Sequence, residues 1–247
     1  MTRTHHNHNS NQDASNEVFT LLLGLITTLR GGSLVLKIVL VRSKPTSTVA
    51  GDFLLAAISW HSGADSVISP PEGWNLIRST YYEGIRVATY YKIATSSDAT
   101  VTQYTFGIPA TDTMSGWHAT GGITRYTGVD IVTPVDVSGA SWGDVTYGNA
   151  IGAPSVHPNY TNSRVITVFG TYYPVNNISA PTGMAELYEV HYHVDPNNRY
   201  EYIWPEIAVS DVNWLPATAT GERLATVTWD GSNHLALAPD GLLRPSL

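Results

Sequence analysis

The sequence predicts an all-β fold: a two-sheet antiparallel jelly-roll-like sandwich preceded by an N-terminal arm or short helix. Three observations carry that expectation. The chain divides into about a dozen short apolar or alternating segments separated by Gly, Pro, Asn, Asp and Ser, which is the rhythm of strands and turns. Only 13% of the residues are charged while 14 are Tyr and 7 are Trp, a composition that suits half-buried strand faces better than exposed helices. The run Phe53-Leu54-Leu55-Ala56-Ala57-Ile58 is too short for a helix and rich in large apolar side chains, so it reads as a buried central strand.

The chain opens on a polar, low-complexity stretch, residues 1–16, that has nothing to add to a core and reads as an arm. His5, His6 and His8 lie close together there, but without carboxylate or thiolate support they read as part of a solvated tail. Residues 17–29 place Leu21, Leu22, Leu25, Ile26 and Leu29 at helical spacing, with Ser15 or Asn16 as N-cap and Gly31 where a C-cap belongs. Thr20, Thr27 and Thr28 weaken the helix, and the alternative is an extended segment donated to a neighbouring subunit's sheet. Two regions follow from this: 1–32, a polar arm plus an apolar anchoring segment, and 33–247, the β-sandwich domain. Phe19, Leu21, Leu22, Leu25, Ile26 and Leu29 are the candidate partner-binding residues, gripping other subunits or a second copy.

Within the main region, 33–41 is the first strand, and the Ala50-Gly51-Asp52 turn leads into 53–58. Pro70-Pro71-Glu72-Gly73-Trp74 turns the chain, since prolines interrupt a ladder and glycine permits a positive φ. Residues 75–82 and 85–94 form a hairpin about Glu83-Gly84, and Ser96-Ser97-Asp98 is a turn. Strands follow at 101–106 and 116–126, where Gly121-Gly122 signals a bulge or a close backbone approach. Pro134 makes 128–137 loop or edge, and an exposed loop continues to 148. Further strands are expected at 164–171, 184–193, 200–204, 207–209, 223–229 and 234–237, with 242–245 as the terminal segment. Trp60, Trp74 and Trp229 are assigned to the core.

A formal charge of −7 without clustered Lys or Arg argues against nucleic acid as a partner. With no cysteine there is neither disulfide nor thiolate chemistry, and no apolar run reaches the roughly 18 residues of a membrane-spanning helix. Asp52, Asp65, Glu72, Asp130, Asp136 and Asp144 fall mostly at turns, where such side chains bind the local backbone. His191 and His193 share a strand face near Asp195, but no third ligand accompanies them. The reading is therefore a non-enzyme with no cofactor and no metal. Tyr82, Tyr91, Trp117, Trp142 and Tyr173 are the candidate glycan or interface aromatics, because a flat apolar face with a polar edge suits sugars, wet interfaces and cores alike.

The landmarks Ala50-Gly51-Asp52-Phe53-Leu54-Leu55-Ala56-Ala57-Ile58, Pro70-Pro71-Glu72-Gly73-Trp74, Ala88-Thr89-Tyr90-Tyr91-Lys92-Ile93-Ala94 and Thr124-Arg125-Tyr126-Thr127-Gly128-Val129-Asp130 with Pro134-Val135-Asp136 form a recognisable set. Together with Thr220-Gly221-Glu222-Arg223-Leu224-Ala225-Thr226-Val227 and Leu242-Leu243-Arg244-Pro245, they resemble a recurrent jelly-roll-like β-sandwich domain of phage virion proteins and bacterial surface proteins. The resemblance spans roughly residues 34–245 and includes no catalytic element. It implies a non-enzymatic virion structural protein, a head decoration or tail-associated module on the virion surface; the segment up to Gly32 has no counterpart in the resemblance, and its apolar residues outside the sandwich are what suggest anchoring through the N-terminal arm. The alternative it implies is a glycan-binding adhesion module of a bacterial surface protein, facing cell-surface glycan.

Overall fold

Phe53–His61 (β3) is buried along all but its last residue, on both faces, and a strand with two buried faces needs cover from two sides. Four stacked antiparallel sheets supply it. The computed structural model describes residues 26–30, 33–61, 63, 66–108, 119–144, 149–172, 175–190, 206–214, 218–229 and 235–243, with 26–39 and 235–243 described by their backbone paths.

The first half of the chain contributes Ile26–Arg30 (β1), Ser33–Ser43 (β2), β3, Asn75–Tyr82 (β4), Ile85–Ile93 (β5), Gln103–Ile108 (β6) and Ala119–Tyr126 (β7). The second contributes Val135–Asp144 (β8), Ala150–Ala153 (β9), Ser163–Thr171 (β10), Val175–Ser179 (β11), Ala185–Val190 (β12), Glu206–Trp214 (β13), Arg223–Trp229 (β14) and Leu235–Leu243 (β15). The outer sheet β1-β2-β6 covers one face of the central sheet β4-β5-β3-β7 through Leu40, Leu54, Ile58, Trp60, Tyr90 and Phe106. The opposite face of that sheet packs Phe53, Leu55, Ile85 and Val87 on Ile166, Val168, Ile207 and Val209 of the second central sheet, β12-β13-β10-β15-β8. Beyond it, Phe169 and Ala208 meet Ile151, Val175, Ile178 and Val227 of the outer sheet β11-β14-β9.

The two halves are built to one plan. The strand order β4-β5-β3-β7 recurs as β12-β13-β10-β15, and the registers recur with it. Phe53 faces Ile93 and Tyr126, and Arg164 faces Asn213 and Leu243. A register shift between Leu76 and Arg78 of β4 is matched by one between Glu186 and Tyr188 of β12. Trp74 N–H bonds Pro71 C=O at 3.2 Å after Gly73 with φ 81°, and Met184 N–H bonds Pro181 C=O at 2.9 Å after Gly183 with φ 81°. Positive φ angles at Gly51 and Asn162 open β3 and β10 alike. Ser69 bridges Gly107 of β6 where Ser179 of β11 pairs with Thr226 of β14.

One difference lies inside that plan. β15 carries Pro239, which has no N–H, and its pairing with β10 lapses opposite Val168 and Phe169 before resuming in the same register. At the corresponding place in the first half, Ala57 and Ile58 of β3 pair without a break with Gly122 and Gly121.

The all-β antiparallel class is the one observed. The strands occupy four sheets rather than two, making a pair of sandwiches within 33–247. Residues 26–30 are strand and not helix, pairing with this chain's own β2 from Ile26↔Lys37 to Arg30↔Ser33; β-branched Thr27 and Thr28 favour that outcome. The stretch read as an exposed loop after Pro134 is largely strand β8, paired with β15 from Val135 to Asp144. Its Ser, Gly and Ala residues mask the alternation that marks a strand. Strands β9 and β11 are additions to the expected set.

Candidate functional site

Among the described residues, a cleft of about 790 Å³ opens on the first sandwich, walled by three turns and the ends of β5 and β6. Its first wall is the Pro71-Glu72-Gly73-Trp74 turn. Trp74 pins that turn to the core, its ring meeting Tyr104 and Phe106 edge-on at 5.1 and 5.3 Å. The second wall is the short 3-10 turn Ser96–Thr100, whose start is a reciprocal cap between Thr95 and Asp98. The third is the linker between the sandwiches, where Asp130 Oδ1 accepts the N–H groups of Val132 and Thr133 at 2.8 and 2.9 Å. That fold-back holds Ile131 and Val132 outward, 59% and 83% exposed.

Asp98 is the hub of the cleft wall, 2% exposed. It accepts hydrogen bonds from the Thr95 N–H at 2.8 Å, the Thr95 hydroxyl at 2.9 Å and the Tyr104 hydroxyl at 2.8 Å, and it pairs with Lys92 Nζ at 2.8 Å. Burial alone would raise its pKa. Lys92, the Thr95 N–H and the two hydroxyls outweigh burial and hold the carboxyl at about 2. Tyr104 moves upward in turn, through burial and its bond to Asp98. Lys92 also lies 5.5 Å from the Tyr104 ring centre. A carboxylate with its acceptor positions so occupied is a poor proton acceptor, and the lysine beside it is already neutralised. The cluster builds a wall.

The opening of the cleft is furnished differently. Asn75, Gln103, Thr95 and Ser97 present neutral hydrogen-bonding groups, Glu72 an exposed carboxylate, and Ile131 and Val132 an apolar lip. The second sandwich keeps the corresponding turn at Pro181–Met184 but has Val212 where the first has Lys92, and Arg223 where it has Tyr104. Arg223 there lies over the Trp214 ring at 4.9 Å.

Of the aromatic residues singled out in the sequence, Tyr91 lines the cleft; it is half-buried and stacked on Phe53 at 5.5 Å. Tyr82 is half-buried against the core between the two central sheets, away from the cleft. Trp142 lies on β8 opposite Leu237, described by backbone. Trp117 and Tyr173 lie outside the described residues, as do Phe19, Leu21, Leu22 and Leu25, while Ile26 and Leu29 fall on β1. His5, His6, His8, His191 and His193 are likewise outside them. Among the described residues, no three His, Cys, Asp or Glu come together as a metal site would need.

The turn reading of the acidic residues is visible at Asp52, which accepts the Val49 N–H at 2.8 Å and faces Arg125 at 3.4 Å. Asp136 instead lies on strand β8 and accepts the N–H and side-chain amide of the distant Asn159, both at 2.8 Å, so the turn reading does not hold there. Lys92, Asp98 and Tyr104 were not foreseen as a cluster. The spacing Thr95-x-x-Asp98 is a capping-box signal and marks one corner of it. No family model matches this chain, and neither the curated proteins nor the solved structures contain a match.

Proposed function

We propose that this chain is a non-enzymatic structural protein of a phage virion, displaying its paired sandwiches on the head or tail surface and held to neighbouring subunits through residues 1–32. The observation that carries the reading is the place of that leader relative to the repeated plan. The plan accounts for β2 through β7 and for β9 through β15, while β1 adds to β2 a partner that β9 lacks among the described residues. An apolar segment that the repeated core does not call for is suited to engaging a companion chain. The buried charges support a scaffold role, since Asp98 with Lys92, and Asp211 with Arg164 at 2.8 Å, are joined to one another within the fold. The sequence resemblance to virion and surface sandwiches points the same way. A second reading, a glycan-binding adhesion module of a bacterial surface, draws its support from the cleft.

Two experiments test the first reading. Gold-labelled antibody against the chain should decorate intact particles, and particles that stay unlabelled would end the virion assignment. Removal of residues 1–32 should abolish copurification with particles while the remainder stays folded by circular dichroism. Undiminished copurification would remove the anchoring role.

A further inference from the structure

We infer that the cleft beside the inter-sandwich linker binds a neutral oligosaccharide. The inference deepens the second, glycan-binding reading and rests on it, and it stands apart from the virion assignment. Its volume, about 790 Å³, lies within the range of small-ligand sites. Its electrostatics select against anions: among the described residues the one lining cation, Lys92, is paired with Asp98 at 2.8 Å, and the exposed carboxylate of Glu72 adds negative charge.

What remains facing the opening is chemistry that hydroxyl-rich rings match. The amides of Asn75 and Gln103 both donate and accept, as sugar hydroxyls do, while the Thr95 and Ser97 hydroxyls, bonded to Asp98 and to each other, keep lone pairs that can accept. Ile131 and Val132, held outward by the Asp130 fold-back, offer an apolar lip to the C–H face of a ring.

The comparison inside the molecule adds an independent reason. The second sandwich reproduces the Pro-x-Gly turn and the registers around it, yet places Val212 and Arg223 where the first has Lys92 and Tyr104. At the opening it has Ala185 where the first has Asn75, so the polar furnishing is not a requirement of the sandwich itself. A feature that one copy keeps and the other does without is free to serve recognition.

The test is titration of the full chain against maltotriose, cellotriose and chitotriose, with a sulfated disaccharide as the charged comparison. At least one neutral trisaccharide should bind, and Gln103→Ala and Val132→Asp should each weaken that binding about tenfold. Val67→Asp, at an exposed position that does not line the cleft, should leave it unchanged. Both cleft positions are exposed, so the variants should fold, which circular dichroism checks. Absence of binding to all three neutral sugars, binding of the sulfated sugar alone, or binding indifferent to both cleft variants would each overturn the inference.

Discussion

In the second sandwich the strand β15 carries β8 on its outer edge, whereas in the first the corresponding strand β7 ends its sheet among the described residues. An uncovered edge presents unpaired backbone groups, and the two halves meet that problem with different means. The second uses a whole strand, whose Ser141 hydroxyl also bonds the carbonyl of Gly152 on β9 and so ties the central sheet to the outer one. The first uses a side chain. Arg42 of β2, 4% exposed, turns its Nε onto the carbonyl of Gly121 on β7 at 2.5 Å. Tyr188 of the second sandwich lies against Gly122 beside it, where an added Cβ would stand 2.6 Å from the ring carbon Cζ. Burial lowers the pKa of Arg42 to about 10, with Tyr188 opposing, so the guanidinium remains charged at neutral pH. One buried arginine and two glycines thus stand where a strand stands in the other copy.

That contrast can be broken most sharply at Gly121. A Cβ there would press on the Ala57 carbonyl oxygen and lie 3.1 Å from Ile58 Cα, both backbone atoms of the central strand. Gly121→Ala should cost about 3 kcal/mol or more by urea denaturation, since β3 and β7 have to part. A cost near zero would show that the close approach carries no weight. In the second copy Ala238 occupies the matching place, within the lapse in the β10–β15 ladder.

Arg42→Met comes next, at about 2 kcal/mol, because the Gly121 carbonyl loses its charged donor. Native-state hydrogen exchange should show the loosening in β7 and leave β15 protected. Equal loosening of both strands would contradict the assignment of Arg42 to one edge.

A third test sets the buried carboxylates against each other. Asp98 has a folded pKa depressed to about 2, so its contribution is present above the unfolded value near 4 and disappears as pH falls from about 4 to 2. Asp211 is shifted the opposite way, raised by burial with Arg164 opposing, so its contribution diminishes as pH rises through its folded pKa. Asp98→Asn should remove up to about 2 kcal/mol at pH 7 and flatten the stability profile between about pH 4 and 2. An unaltered acid limb would show that the pairing with Lys92 and Tyr104 does not drive it. The smallest effect belongs to Val132→Asp, expected within about 0.5 kcal/mol because the side chain is 83% exposed. A larger loss would mean that the linker packs more firmly than its exposure indicates.

Much of the fold was legible in the sequence because apolar runs and turn residues report local geometry. The Glu83-Gly84 hairpin, the Pro71–Trp74 turn and the buried runs at 53–58 and 164–171 fall where their chemistry requires. Pairing partners across the chain were less accessible, since registers such as Phe53↔Tyr126 join residues far apart in sequence. The repeated plan leaves one plain trace, Ile68-Ser69-x-Pro71-x-Gly73 against Ile178-Ser179-x-Pro181-x-Gly183, in two turns held by the same backbone bond. Elsewhere the copies do not share identity: buried Trp60 stands against buried Thr171, and buried Phe53 against half-buried Arg164. Of the cleft, the Asp98 capping box was readable, whereas its encounter with Lys92 and Tyr104 depends on how β5 and β6 come together in space.

Pro239 has a further consequence for how the chain avoids error while folding. Neighbouring strands of similar composition can slide by two residues and keep their faces, and only a mark on the backbone distinguishes the right alignment from its neighbours. A residue that cannot donate supplies that mark: moved along β10, it would spoil a bond that the native ladder makes. The same missing donor makes this last strand a poor template for stacking copies of itself into fibres.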